Sequence, residues 1–258
     1  MSQRIRVSWW VGFAALLLMM PLAFGQNQVD LVLQNGGNYT MDGVYVGPYN
    51  ATQSVNNGPA QNVQIICDDF KDEVVPGESW TANVVSFSTL ANTGSTAGLM
   101  FNGDTAGGAL LNNVSGTALQ GYVAMAYLAS QMLPLSGNPG NAQQVGYLAY
   151  AIWAIFEPTL VQNWLGAGSQ AWLCVEKLAQ GALSGALNNT YTAASFAGWE
   201  ILSPVPGSQN PGSLGTPQEY FMFVPEGGTA LMYLLLAGFA CFGTMYFKAR
   251  RHATSETV

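Results

Sequence analysis

The chain has 258 residues, 49% of them apolar and only 8% charged, and carries a net charge of −7. Between the two ends only Lys71 and Lys177 stand against twelve acids, from Asp30 to Glu219. Nucleic acid and anionic lipid are thereby excluded as partners, since both need clustered Lys and Arg to neutralise phosphate. The single histidine, His252, lies near the C-terminus, so residues 26–224 lack an imidazole for Ser-His or Cys-His hydrolysis or for a His-containing zinc site, and three cysteines are too few for an all-cysteine one. The expectation is no enzyme, no cofactor and no bound metal.

The N-terminus carries Arg4 and Arg6, an apolar run from Val7 to Met20, Pro21 and then the small-residue exit Ala23-Phe24-Gly25, the pattern of a secretory signal peptide over residues 1–25. Residues 26–224 are then expected to form one exported α+β domain, large enough to bury a core without disulfide or metal. Its first half reads as β, with strands expected over Val29 to Leu33, Gly43 to Gly47, Val63 to Phe70 and Trp80 to Leu90, separated by turn signals such as Asn35-Gly36-Gly37 and Pro76-Gly77. In the third strand Val63, Ile65 and Cys67 share a face, because side chains alternate with period two. Five acids follow within eleven residues: Asp68, Asp69, Asp72, Glu73 and Glu78. Phe70 and Lys71 interrupt the alternation of an EF-hand loop, so a solvated turn is expected there, with calcium as the alternative.

From Thr117 the apolar spacing turns helical and ends near Pro134. A second helix starts after Asn141 as N-cap, carries Val145, Leu148, Ala149, Ile152 and Phe156 on one stripe and stops before Pro158. A third runs from Ser169 to about Leu187. Gly166-Ala167-Gly168-Ser169-Gln170-Ala171 has dinucleotide-like spacing but no preceding strand, so it reads as a turn between helices. Aromatics at helical spacing, including Tyr150, Trp153 and Trp164, read as core, with a sugar-binding surface as the alternative. Strands return at Phe196 to Leu202 and Glu219 to Val224. The fold class is α+β: a β sandwich or sheet with a three-helix insert, plus a C-terminal transmembrane helix.

Cys67-Asp68 together with the downstream Ala151-Ile152-Trp153 resembles the thioester-forming domains of bacterial surface adhesins. The resemblance implies a cysteine thiol joined to a glutamine amide two residues before the Ala-Ile-Trp. In this chain that position is Ala149, so what remains is a thioester remnant of Cys67, Ala149 and Trp153; Gln143 and Gln144 point some 120° and 140° away on the helix. Cys67 and Cys174 are the two cysteines of the exported part, and a disulfide between them is expected in an oxidising compartment.

At the C-terminus Val224-Pro225-Glu226 precedes an uncharged stretch from Thr229 to Phe247 and the cations Lys248, Arg250 and Arg251. The 18 residues from Ala230 to Phe247 would make a helix of about 27 Å, close to the thickness of a bilayer's hydrocarbon core. The basic flank holds its C-terminal end in the cytoplasm, and the domain faces outward. This arrangement resembles the PEP-CTERM sorting signal, which implies an exosortase-type membrane enzyme as partner and cleavage near Pro225-Glu226. Residues 225–251 are thus expected to be the sorting signal with its membrane helix, and residues 252–258 a cytoplasmic tail. The expected role is a structural or adhesive protein of the cell surface or extracellular matrix. The alternatives are a carbohydrate- or calcium-binding surface module, with extracellular polysaccharide as partner, and a thioester-forming adhesin.

Overall fold

The computed structural model describes residues 28–73, 75–210 and 217–224. Six antiparallel strands close into a barrel: β1 (Gln28–Asn35), β4 (Tyr49–Ser54), β5 (Gln61–Cys67), β10 (Tyr220–Phe223), β9 (Trp199–Pro204) and β6 (Ser79–Ser86), in that order around the wall. Closure depends on distant partners. β1 pairs with both β4 and β6, and β10 enters between β5 and β9. No barrel strand is left with an open edge.

The alternation expected of the first strand is present, with Val29, Leu31 and Leu33 buried and the residues between them only half-buried. Trp80 sits opposite Leu31 and stacks on Tyr220 at 5.7 Å between ring centroids, which places all three on the inner wall. Cys67, paired with Tyr220, shares that side. The other face of β5 and β10 is buried too. There Phe221 meets Phe87 and Tyr122, which come from the helical layer.

That layer contains α1 (Phe87–Thr93), α2 (Ala118–Met132), α3 (Ala142–Ala154), α4 (Pro158–Leu165) and α5 (Gln170–Leu187), with α2, α3 and α5 packed on one another. Two hairpins, β2 (Thr40–Met41) with β3 (Val44–Tyr45) and β7 (Ala106–Gly108) with β8 (Val114–Gly116), and four short 3-10 helices complete the described elements. Local chemistry sets the helix starts. Thr117 and Gln120 form a capping box ahead of α2, and the Ser169 hydroxyl accepts from the Trp172 N–H ahead of α5. Asn141 stands at the start of α3 without capping it, because its side chain donates to Leu135 O.

The fold is mixed α+β, but the sheet is a closed barrel, where a sandwich or open sheet with three helices is the sequence expectation. Two helices lie beyond those three. The strand expected to run to Leu90 stops at Ser86, where the serine hydroxyl accepts from Thr89 N and opens α1. Pro158, expected as a stop, occupies the first turn of α4, where its missing N–H costs nothing. Gly166 to Ser169 is a turn between α4 and α5, as its spacing and context imply.

Among the described residues no helix is long and apolar enough to cross a membrane. The expected signal peptide, Pro225, Glu226, the span from Ala230 to Phe247 and its flank Lys248, Arg250 and Arg251 lie outside the described residues, while Val224 ends them, partly exposed after β10.

Candidate functional site

The chemistry-bearing residues gather where β5 and β10 meet the helical layer. Cys67 ends β5, with its carbonyl accepting the indole N–H of Trp153 on α3 at 3.0 Å. The Ala-Ile-Trp motif thus touches the cysteine through the backbone. The thiol is buried and donates to Asp69 O at 2.9 Å. Burial raises its pKa well above the ordinary thiol value, and the nearby Asp69 and Asp68 carboxyls raise it further. A thiol held protonated in this way is a poor nucleophile.

Nor is an acyl partner supplied from α3. Ala149 is buried and has no amide, while Gln143 and Gln144 are exposed on the first turn and Gln143 donates to Tyr147 Oη. The expected disulfide is absent as well: Cys67 and Cys174 are both free thiols. Cys67 lies inside the barrel, whereas Cys174 lies half-buried on α5 beside the Gln170 amide, 3.4 Å from its sulfur.

The acidic run departs from the expected solvated turn. Asp68 and Asp69 are buried, as is Glu78, while Asp72 is half-buried and Glu73 exposed. Asp68 continues the β5–β10 ladder, its N–H donating to Glu219 O at 3.2 Å, and its carboxyl lies against that of Glu219. Neither Asp68 oxygen has a hydrogen-bond partner, whereas Glu219 accepts from Tyr122 Oη at 2.6 Å and Met100 N at 2.9 Å. Burial and then the Glu219 charge raise the Asp68 pKa well above normal, and burial raises that of Glu219 despite its donors. Two carboxylates in contact cannot both ionise cheaply without water.

Asp69 Oδ1 accepts from Lys71 N at 2.9 Å and folds the chain into a local turn, while Oδ2 is buried without a partner. Burial, followed by the neighbouring Glu157, moves the Asp69 pKa up to about 7. Glu157, after α3, accepts from Phe70 N at 2.7 Å. Among the described residues no group of three or more His, Cys, Asp or Glu side chains is placed to hold a metal ion.

Gln218 is a site residue that sequence reasoning misses. Its amide nitrogen donates to Asp69 O at 3.1 Å and to Asp72 O, and its amide oxygen accepts from Tyr220 Oη at 3.0 Å. Thiol and carboxamide therefore share one backbone acceptor.

Above this floor opens a cavity of about 320 Å³. Its lining includes the rings of Tyr45, Tyr49, Phe70, Trp153, Trp164 and Tyr220, together with Asp72 and Glu73. Phe70 lies 5.0 Å from Trp153 and 5.8 Å from Trp164 between centroids. Trp164 is 51% exposed, and its ring meets that of Phe70 edge-on. Tyr45, 49% exposed, is carried by the β2–β3 hairpin, whose Asp42-Gly43 turn takes positive φ at both residues. Its ring is seated on Gly36, where a Cβ would come within 2.3 Å of it. Tyr150 Oη, donating to Met41 O at 3.1 Å, ties the hairpin to α3.

No family model and no curated protein matches the chain. Among the solved structures similar to it are two from Streptococcus pyogenes. One is the N-terminal thioester domain of fibronectin-binding protein SfbI from Streptococcus pyogenes, at 10% identity and a TM-score of 0.35, covering 78% of this chain and 95% of that one. The other is the N-terminal domain of the Streptococcus pyogenes pilus tip adhesin Cpa, at 14% identity and a TM-score of 0.30, with the same coverage. Likeness of that degree transfers no function.

Proposed function

We propose that this chain is an exported protein of the bacterial cell surface whose domain binds a partner non-covalently, and that it is not an enzyme. The observation that carries the reading is the aromatic cavity: a concave, partly apolar site with a few convergent polar groups is where ligands bind. The protonated, buried thiol beside it and the absence of an amide at Ala149 favour reversible over covalent attachment.

Export rests on the signal-peptide pattern of residues 1–25, and tethering or exosortase processing on Val224-Pro225-Glu226 and the apolar run that follows. The test is retention of the protein on extracellular matrix from its native host, compared with Trp164→Ala. The substitution removes an exposed ring and is expected to reduce retention at least tenfold with the fold intact by circular dichroism; equal retention refutes the reading.

A further inference from the structure

We infer that the cavity between Tyr45 and Trp164 takes a saccharide residue that carries no negative charge; this deepens, and rests on, the reading of the cavity as the ligand site. Four observations carry it. First, the two exposed rings, Tyr45 and Trp164, stand on separate elements and both line the cavity, Tyr45 backed by Gly36 and Trp164 set edge-on against Phe70. An aromatic face is the negative end of the ring quadrupole and attracts the weakly positive C–H groups on the face of a sugar ring.

Second, the lining includes two carboxylate residues, Asp72 and Glu73, while the hydroxyls of Tyr49 and Tyr220 are committed as donors to Tyr45 O and the Gln218 oxygen, and the Gln218 nitrogen to Asp69 O and Asp72 O. Such a lining asks its ligand for donors, and a polyol supplies them at its ring edge; hydroxyl donors to carboxylates make the stronger, charge-assisted kind of bond. Third, the same carboxylates repel an anion. Lys71 offers no compensation, for it lines the neighbouring cleft with Phe70, Leu160 and Trp164 instead of this cavity. Fourth, a small cation alone would leave most of the 320 Å³ unfilled, and a purely apolar ligand would bury Asp72 without a partner.

The experiment uses the full-length chain in a non-glycosidic detergent, labelled with 5-fluorotryptophan, with the Trp164 fluorine resonance assigned through Trp164→Phe. Neutral oligosaccharides, uronic-acid oligosaccharides and a panel of alkylammonium, carboxylate and short peptide compounds are titrated in turn. The expected result is that neutral sugars shift the Trp164 resonance and uronic acids do not, and that Asp72→Asn weakens the neutral sugar about tenfold while leaving the other resonances in place. A Trp164 shift seen only with a compound of the non-sugar panel, or equally with uronic acids, overturns the ligand class and leaves the cavity as the binding site. If no compound moves Trp164, the ligand class and the cavity reading fall together.

Discussion

Replacing Asp69 by Asn tests the electrostatics of the junction under the cavity. The variant keeps the Oδ1 that Lys71 N bonds and replaces the buried, unpartnered Oδ2 by a neutral amide. In the folded chain burial and Glu157 hold the Asp69 pKa at about 7, against an ordinary aspartate value of 3.8. The folded state therefore binds more protons than the unfolded state between these values. Its stability from this group is complete at low pH and is lost as pH rises through about 7. With 1.36 kcal/mol per pKa unit, the full span is about 4 kcal/mol, of which roughly 2 to 3 kcal/mol falls between pH 5 and pH 8. Urea unfolding of both proteins at those two pH values reads it. Asp68, Glu157 and Glu219, raised likewise, make both proteins less stable at the higher pH. Asp69→Asn should lose less, narrowing the drop by that 2 to 3 kcal/mol. Equal losses for the two proteins would show that Asp69 is ionised in the fold at pH 5 and refute the assignment.

Under native, unreduced conditions maleimide should label Cys174 before Cys67, and both should react once the chain is denatured; a protected pair would mean a disulfide that the free thiols do not have. Intact mass of the exported protein should match the chain without loss of ammonia, and methylamine should add nothing to it, because Ala149 brings no carboxamide to Cys67. Trp153→Phe keeps an aromatic wall but removes the N–H on Cys67 O, so it should cost about 1 to 3 kcal/mol in urea unfolding; an unchanged midpoint would show that the bond contributes nothing net. C-terminal sequencing of protein from the host's outer fractions should end near Pro225 or Glu226, and full-length chain in the inner membrane would remove exosortase processing from the account.

Elements governed by local chemistry were the legible ones. The alternation of β1, the face shared by Ile65 and Cys67, and the Thr117 and Ser169 helix starts follow from periods and caps spanning a few residues. Barrel closure was not legible, because it depends on β1 meeting β6 some fifty residues away and on β10 entering between β5 and β9. β4 escaped notice because its outward positions are Asn50, Thr52 and Ser54, leaving only Tyr49 and Ala51 as its buried signal. Local composition misled at Asp68 and Asp69, where a run of acids looks solvated. Tyr122 and Met100 for Glu219, and the Glu219 carboxyl for Asp68, come from segments far away in sequence. Gln218 had no signal at all, since its partners are backbone carbonyls of a different loop.

The buried acids and the cavity belong to one construction. Helix-layer groups reach the strand ends through polar bonds: Trp153 to Cys67 O, Glu157 to Phe70 N, and Tyr122 to the Glu219 carboxyl. Two of these bonds end on residues that carry or adjoin the cavity wall, for Trp153 and Phe70 are themselves lining residues. The wall on this side is therefore fixed before any ligand arrives, and little conformational entropy remains to be lost there on binding. The opposite wall is built differently. Tyr45 rides on a two-residue strand and is held by its seat on Gly36, by Tyr49 Oη on its own carbonyl, and through the hairpin by Tyr150. Cys67 and Trp153 thus serve the junction as structural supports through the bond between them, and the Trp153 ring also lines the cavity above.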